Sequence, residues 1–129
     1  MRAILFRGKR KDNGEWVYGS LLCHKGFSIF DECFKNWVTV EGKTVGQYTG
    51  LKDATGKRIF EGDVIHYFIR TYDESGLHEY KDDKYNHPKV GPVVFTDGCF
   101  LPLAYCVPEM VLVSGNIHDN PELLVVNKQ

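Results

Sequence analysis

The stretch Gly46-Gln47-Tyr48-Thr49-Gly50-Leu51-Lys52-Asp53-Ala54-Thr55-Gly56-Lys57-Arg58-Ile59-Phe60-Glu61-Gly62-Asp63-Val64-Ile65 sets four glycines among short runs of aromatic and β-branched residues. Asp53-Ala54-Thr55-Gly56 has the chemistry of a turn, because an aspartate at the first position bonds the backbone ahead of it and a glycine accepts the left-handed conformation. Glu61-Gly62-Asp63 makes a second tight bend. Between and after the bends, Ile59-Phe60 and Val64-Ile65-His66-Tyr67-Phe68-Ile69 read as strands, the second placing Ile65, Tyr67 and Ile69 on one face and His66 and Phe68 on the other. Turns and strand packing account for the whole stretch without reactive chemistry.

Outward from this centre the pattern repeats. Ile4-Leu5-Phe6-Arg7 and Trp16 to Leu22 read as a hairpin around Asn13-Gly14, with Lys9-Arg10-Lys11-Asp12 at its tip. Residues 23–36 mix Phe27, Ile29, Phe30 and Phe34 with charged residues and lack a period, leaving a short helix and an irregular excursion both open. Trp37-Val38-Thr39-Val40 and Thr44 to Thr49 read as strands about a turn at Glu41-Gly42-Lys43. Arg70 to Lys89 is polar and long for a loop of a compact domain. Val93 to Thr96 and Cys99 to Leu101 are separated only by Asp97-Gly98, a strong hairpin signal. Met110 to Val113 is the last predicted strand, leading through Asn116 to a short helix that Asn120 caps and Pro121 and Glu122 begin. Short strands, glycine turns and one short helix predict a single mainly β domain over residues 1–129, built as a small β-barrel or a strongly bent sheet.

Net charge is −1, with 16 Lys and Arg against 17 Asp and Glu, so no global field selects nucleic acid or an anionic membrane. Ile4-Leu5-Phe6 is too short for a signal peptide core, and no run approaches the about 18 apolar residues of a membrane span. The expected location is the cytoplasm, with no membrane partner, where Cys23, Cys33, Cys99 and Cys106 are free thiols.

The segment Gly46 to Ile65, with Val93 to Gly98, Gly115 to Leu124, Phe6-Arg7 and Trp16 to Gly19, resembles the YopX family of bacteriophage and prophage proteins. The likeness spans nearly the whole chain, and the order of these blocks is more specific than any one of them. It implies a compact, mostly β domain with an SH3-like barrel element, carried by mobile genetic elements, and it brings no catalytic residues. Thr55 stands where the resemblance implies Asn before Gly56, and the segments Cys23 to Asn36 and Asp73 to Lys89 have no counterpart. Gly46, Gln47, Tyr48, Thr49, Gly50, Leu51, Asp53, Gly56, Glu61, Gly62, Asp63, Asp97, Gly98, Asn116, Asn120 and Pro121 are the motif positions, assigned structural roles.

Candidate chemistry is thin. Cys23-His24, Cys33, Cys99 and Cys106 lack the close ligand pairs of structural zinc sites and read as small apolar side chains, so no metal or other cofactor is expected. No nucleophile sits in an exposing strand-turn-helix context, and His66 on a strand reads as a packing or surface residue. The glycines are spread through strands and form no phosphate loop. Asp73-Glu74 and Asp82-Asp83 read as solvated loop charges.

A non-catalytic, phage-encoded binding or accessory protein is therefore expected, engaging a protein partner or a second copy of itself. Its contacts are expected on the Arg70 to Lys89 loop or the Cys23 to Asn36 segment, where a rigid scaffold carries recognition. Nucleic-acid binding is the alternative, through Arg7, Lys9, Arg10 and Lys11 at the hairpin tip, Lys57 and Arg58 at another turn, and the aromatics Trp16, Tyr18 and Tyr48. A metal-dependent enzyme using the paired acids is the most remote reading.

Overall fold

The computed structural model describes residues 4–67, 89–106 and 110–126. The chain is mainly β, with twelve strands, two 3-10 turns and one short helix among those residues. It divides into two compact units, Met1–Gly50 and Leu51–Gln129, described in turn.

In the first unit β1 (Phe6–Lys9) and β2 (Trp16–Gly19) form the expected hairpin, in register Phe6 to Gly19 through Lys9 to Trp16. Gly14 turns it at φ +74°, and the Asn13 carbonyl oxygen of the side chain accepts the Glu15 N–H at 2.9 Å. The strand expected from Trp16 to Leu22 breaks at Ser20, whose carbonyl accepts the Phe30 N–H at 3.0 Å, so β3 (Leu21–Cys23) begins a second sheet. That sheet is the antiparallel meander β3, β4 (Phe27–Asp31) and β5 (Asn36–Val40).

Residues 23–36 are thus neither a regular helix nor irregular. Asp31 explains this, because its carboxylate accepts the Cys33 N–H at 2.9 Å and its carbonyl the Lys35 N–H at 2.7 Å, confining helical geometry to one turn between two strands. Inward-facing Val38 and Val40 alternate with exposed Trp37 and Thr39, Ile29 is buried between half-buried neighbours, and Val17, Ile29 and Val40 form the core, covered by Phe6, Leu21 and Val45. Gly19 is required in this core: a Cβ there would collide with the Phe30 carbonyl oxygen.

After a 3-10 turn at Gly42–Thr44, where Thr44 accepts the Lys9 N–H at 2.9 Å, β6 (Gly46–Lys52) pairs with β1 and carries the chain out of the first unit.

The second unit opens with the Asp53 turn and β7 (Arg58–Phe60). β8 (Asp63–Tyr67) lies between β9 (Lys89–Pro92) and β12 (Leu112–Asn116), with the hairpin of β10 (Val94–Thr96) and β11 (Cys99–Leu101) between them in sequence. Asp97 and Gly98 both have positive φ, +52° and +81°, as a two-residue hairpin turn of the inverse type requires. The final strand starts two residues later and ends three later than the predicted Met110 to Val113. A bulge at Ser114 lets Gly115 and Asn116 face Val64 and Asp63, and the Ser114 hydroxyl donates to the Val64 carbonyl at 3.2 Å.

Ile59, Ile65, Val93, Leu103, Cys106 and Val111 make the core of this unit. On β8, Val64 and Ile65 are both buried while His66 is exposed. The helix α1 (Glu122–Val126) follows Asn120-Pro121 as the sequence predicts. Asn120 turns its side-chain oxygen back to the Asn116 N–H at 3.3 Å. The expected partner loop and the paired acids Asp73-Glu74 and Asp82-Asp83 lie outside the described residues, as do Phe68 and Ile69.

Candidate interaction surface

Most motif positions build turns. The Asp53 Oδ1 accepts the Thr55 N–H at 2.9 Å, the Thr55 hydroxyl at 2.6 Å and the Lys57 N–H at 3.0 Å, while Gly56 takes φ +90°. The Thr55 hydroxyl thus adds a side-chain bond to the two backbone bonds of this turn. Glu61 is half-buried beside Gly62, which takes φ +92°, and the buried Asp63 carboxylate accepts the Phe60 N–H at 2.7 Å across that bend. Asn116 closes the last turn by accepting the His118 and Asp119 N–H groups at 3.0 and 2.9 Å. Gly46, Tyr48 and Thr49 are buried in β6, Gln47 is half-buried, and Gly50 and Leu51 are exposed, Gly50 at φ +89°.

The basic candidates divide. Arg7 is buried, its guanidinium 4.6 Å from the Trp16 ring centroid, and Lys9 approaches the same ring at 5.5 Å, so Trp16 is a platform for cations of its own chain. Tyr48 is buried and Tyr18 exposed. Lys57 and Arg58 are exposed in the second unit. Only Arg10 and Lys11 remain at the hairpin tip with open surface beside them.

That surface is a groove of about 320 Å³ lined by Arg10, Lys11 and Asp12 of the tip and by Asn36 to Thr39 of β5. Arg10 grips Asp12 through two bonds, at 2.9 and 2.7 Å. The hydrogen bond from Arg10 holds the Asp12 carboxyl below the usual aspartate range. Lys11 points to solvent while its backbone N–H donates to the Thr39 carbonyl at 3.2 Å.

Trp37 forms the opposite wall, 51% exposed, with its ring edge-on to Phe30 at 5.3 Å. Phe34 is 77% exposed on the neighbouring turn. Reading Trp37 as a strand residue was insufficient to mark it. The signal was the alternation of Trp37 and Thr39 against Val38 and Val40, which puts a large aromatic on the solvent face.

The one carboxylate that lines the groove, Asp12, is held by Arg10. Among the described residues no group of three or more His, Cys, Asp or Glu side chains converges as a metal site, and the four cysteines are free thiols. No described helix is long and apolar enough to cross a membrane.

Comparison with known proteins gives one family model, described as YopX protein, matching residues 5–125. No curated protein matches. Among solved structures, protein EF1440 from Enterococcus faecalis superimposes with a TM-score of 0.59 at 23% identity, covering 96% of this chain and 99% of that one. At that identity the likeness speaks for the fold.

Proposed function

This chain belongs to the YopX family, and on that premise we propose that it is a cytoplasmic phage- or prophage-encoded accessory protein that acts by contact, without catalysis. The observation that carries the reading is the groove between Arg10–Asp12 and Asn36–Thr39, where an exposed tryptophan lies beside an exposed lysine on the sheet. Large aromatics with cations at a pocket rim are what protein-binding surfaces present. Of the expected Cys23 to Asn36 segment, Phe34 is exposed on the turn before β5, while Trp37 follows the segment on β5 itself. Residues 1–129 are proposed to serve as one domain, since the family match runs through both units. An SH3-like barrel is proposed for the second unit, on the strength of short strands and a 3-10 turn around one apolar core.

Affinity capture of the tagged protein from cells with an active prophage, with nuclease treatment, tests the reading. A stoichiometric protein that survives the nuclease is expected, and its absence overturns contact with a protein. Self-association is measured by light scattering at high micromolar concentration, where a monomer removes it.

Nucleic-acid binding keeps one favourable observation, Lys11 exposed beside Trp37, with Lys9, Arg10, Lys57 and Arg58 as further cations. It predicts gel retardation that strengthens as salt falls and disappears on replacing Lys9, Arg10 and Lys11 by alanine.

A further inference from the structure

We propose that the outer edge of β5 at Trp37 is a seat for strand addition, taking an extended peptide with an acidic side chain placed for Lys11. The inference rests on the contact reading above and names its site. It starts from hydrogen-bond direction. Phe30 gives its N–H to Ser20, away from β5. Phe30 faces Trp37 across the β4–β5 ladder, so the two are a non-hydrogen-bonded pair and the Trp37 N–H and C=O point away from β4.

Thr39 obeys the same alternation, its carbonyl accepting the Lys11 N–H at 3.2 Å, and Glu41 donates to the Lys9 carbonyl at 2.8 Å. The hairpin tip therefore adds itself to β5 from Glu41 to Thr39, with Arg10 opposite Val40, and turns away before Trp37. Among the described residues no backbone hydrogen bond reaches the Trp37 N–H or C=O. The groove opens at this point, so an incoming strand would continue a line of pairing that residues 9–11 begin.

A peptide offers the matching donor and acceptor at the spacing of the ladder. A nucleotide can stack on the ring but has no repeating amide to extend the sheet. Charge selects the partner further. Asp12 is closed on Arg10, and among the described residues no carboxylate pairs with Lys11. Alternate side chains of the added strand would meet the Trp37 ring and the Lys11 ammonium, the first favouring an apolar residue and the second an acid.

The test is amide hydrogen exchange of the full chain with a short capped peptide that carries valine and glutamate two positions apart, with serine between them, so that both side chains lie on the Trp37 face. At saturation the Trp37 amide should exchange about tenfold more slowly or better. The same peptide N-methylated on one edge should give no protection, and a valine–lysine peptide should bind about fivefold more weakly. Lys11→Glu should invert that preference. Trp37→Pro removes only an outward-facing N–H and the ring, so it should abolish binding while the circular dichroism melt persists. Unchanged Trp37 exchange, equal protection by the N-methylated peptide, equal binding of the two charged peptides, or protection by oligothymidine in place of peptide would each overturn the proposal. A captured protein partner retained by both variants overturns this edge and leaves the contact reading standing.

Discussion

The Asp53 carboxylate accepts the Val113 N–H at 3.0 Å, joining two residues sixty positions apart, while its other oxygen organises the turn from Thr55 to Lys57. A side chain read from sequence as a local turn former is also the tie between that turn and β12. Its neighbour reinforces the tie, since the Ala54 N–H donates to the Val111 carbonyl at 2.8 Å. Asp53 itself is buried, so the Thr55, Lys57 and Val113 donors meet a carboxylate largely withdrawn from water.

Asp53→Asn keeps the shape and replaces one acceptor oxygen by an NH2 group facing an N–H donor. We predict a loss of about 2–3 kcal/mol, the scale of one buried donor left unmet and a charge-assisted bond weakened. Thr55→Val removes only the hydroxyl bond and should cost about 1 kcal/mol. Urea unfolding checks both, and equal costs would refute the separate role of Val113.

The same carboxylate sets an acid dependence. Burial by itself raises the Asp53 pKa, and the hydrogen bonds from Thr55, Val113 and Lys57 outweigh it, so the folded value lies below the ordinary one. A carboxyl depressed on folding contributes its full stability above the unfolded pKa, about 3.9, and loses it as pH falls through the folded pKa. The difference in unfolding free energy between the native chain and Asp53→Asn should therefore narrow below about pH 4. A difference constant from neutral pH to pH 3 would contradict the assignment.

Gly62 at φ +92° sits buried between the Val93 carbonyl, which its N–H reaches at 2.8 Å, and the Ile117 N–H, which its carbonyl accepts at 2.8 Å. Gly62→Ala must hold an L residue in the left-handed region against those bonds and should cost more than about 1 kcal/mol. Gly91 is the control, because an added Cβ meets only Tyr67 at 3.7 Å and its φ is not positive, so Gly91→Ala should change the melting temperature little. A matching small shift at Gly62 would remove the turn assignment.

What the sequence disclosed follows from the range of the forces involved. Asp97-Gly98, Asn13-Gly14 and Asp53 to Gly56 act within a few residues, so their turns were legible from residue chemistry. The meander at 23–36 was not, because Asp31 ends a strand and starts a helical turn, and only pairing of β4 with both neighbours decides between strand and helix. The register of β12 was missed for a related reason: Gly115 and Asn116 look like a loop until the Ser114 bulge aligns them with Val64 and Asp63. At the candidate surface, Arg10 and Lys11 were named from composition. Arg7 left the group because burial against Trp16 is a tertiary fact, whereas the exposure of Trp37 was legible in the alternation of Trp37 and Thr39 with Val38 and Val40.

The cysteines give a last prediction that separates surface from core. Cys106 packs with Ile59, Ile65 and Val93, and burial pushes its thiol up to about 11. Its sulfur also donates to the Pro102 carbonyl at 3.0 Å, so forming the thiolate breaks that bond as well. Burial thus keeps Cys106 in the thiol form at pH 8, and the reagent must also reach it. Cys23 and Cys33 are exposed. A disulfide reagent at pH 8 should label Cys23 and Cys33 within minutes, Cys99 more slowly, and Cys106 only on unfolding, with peptide mass mapping to assign each site. Labelling of Cys106 at the rate of Cys33 in the folded chain would show that the second core opens readily, and that Ile59, Ile65 and Val111 do not pack as a closed cluster around it.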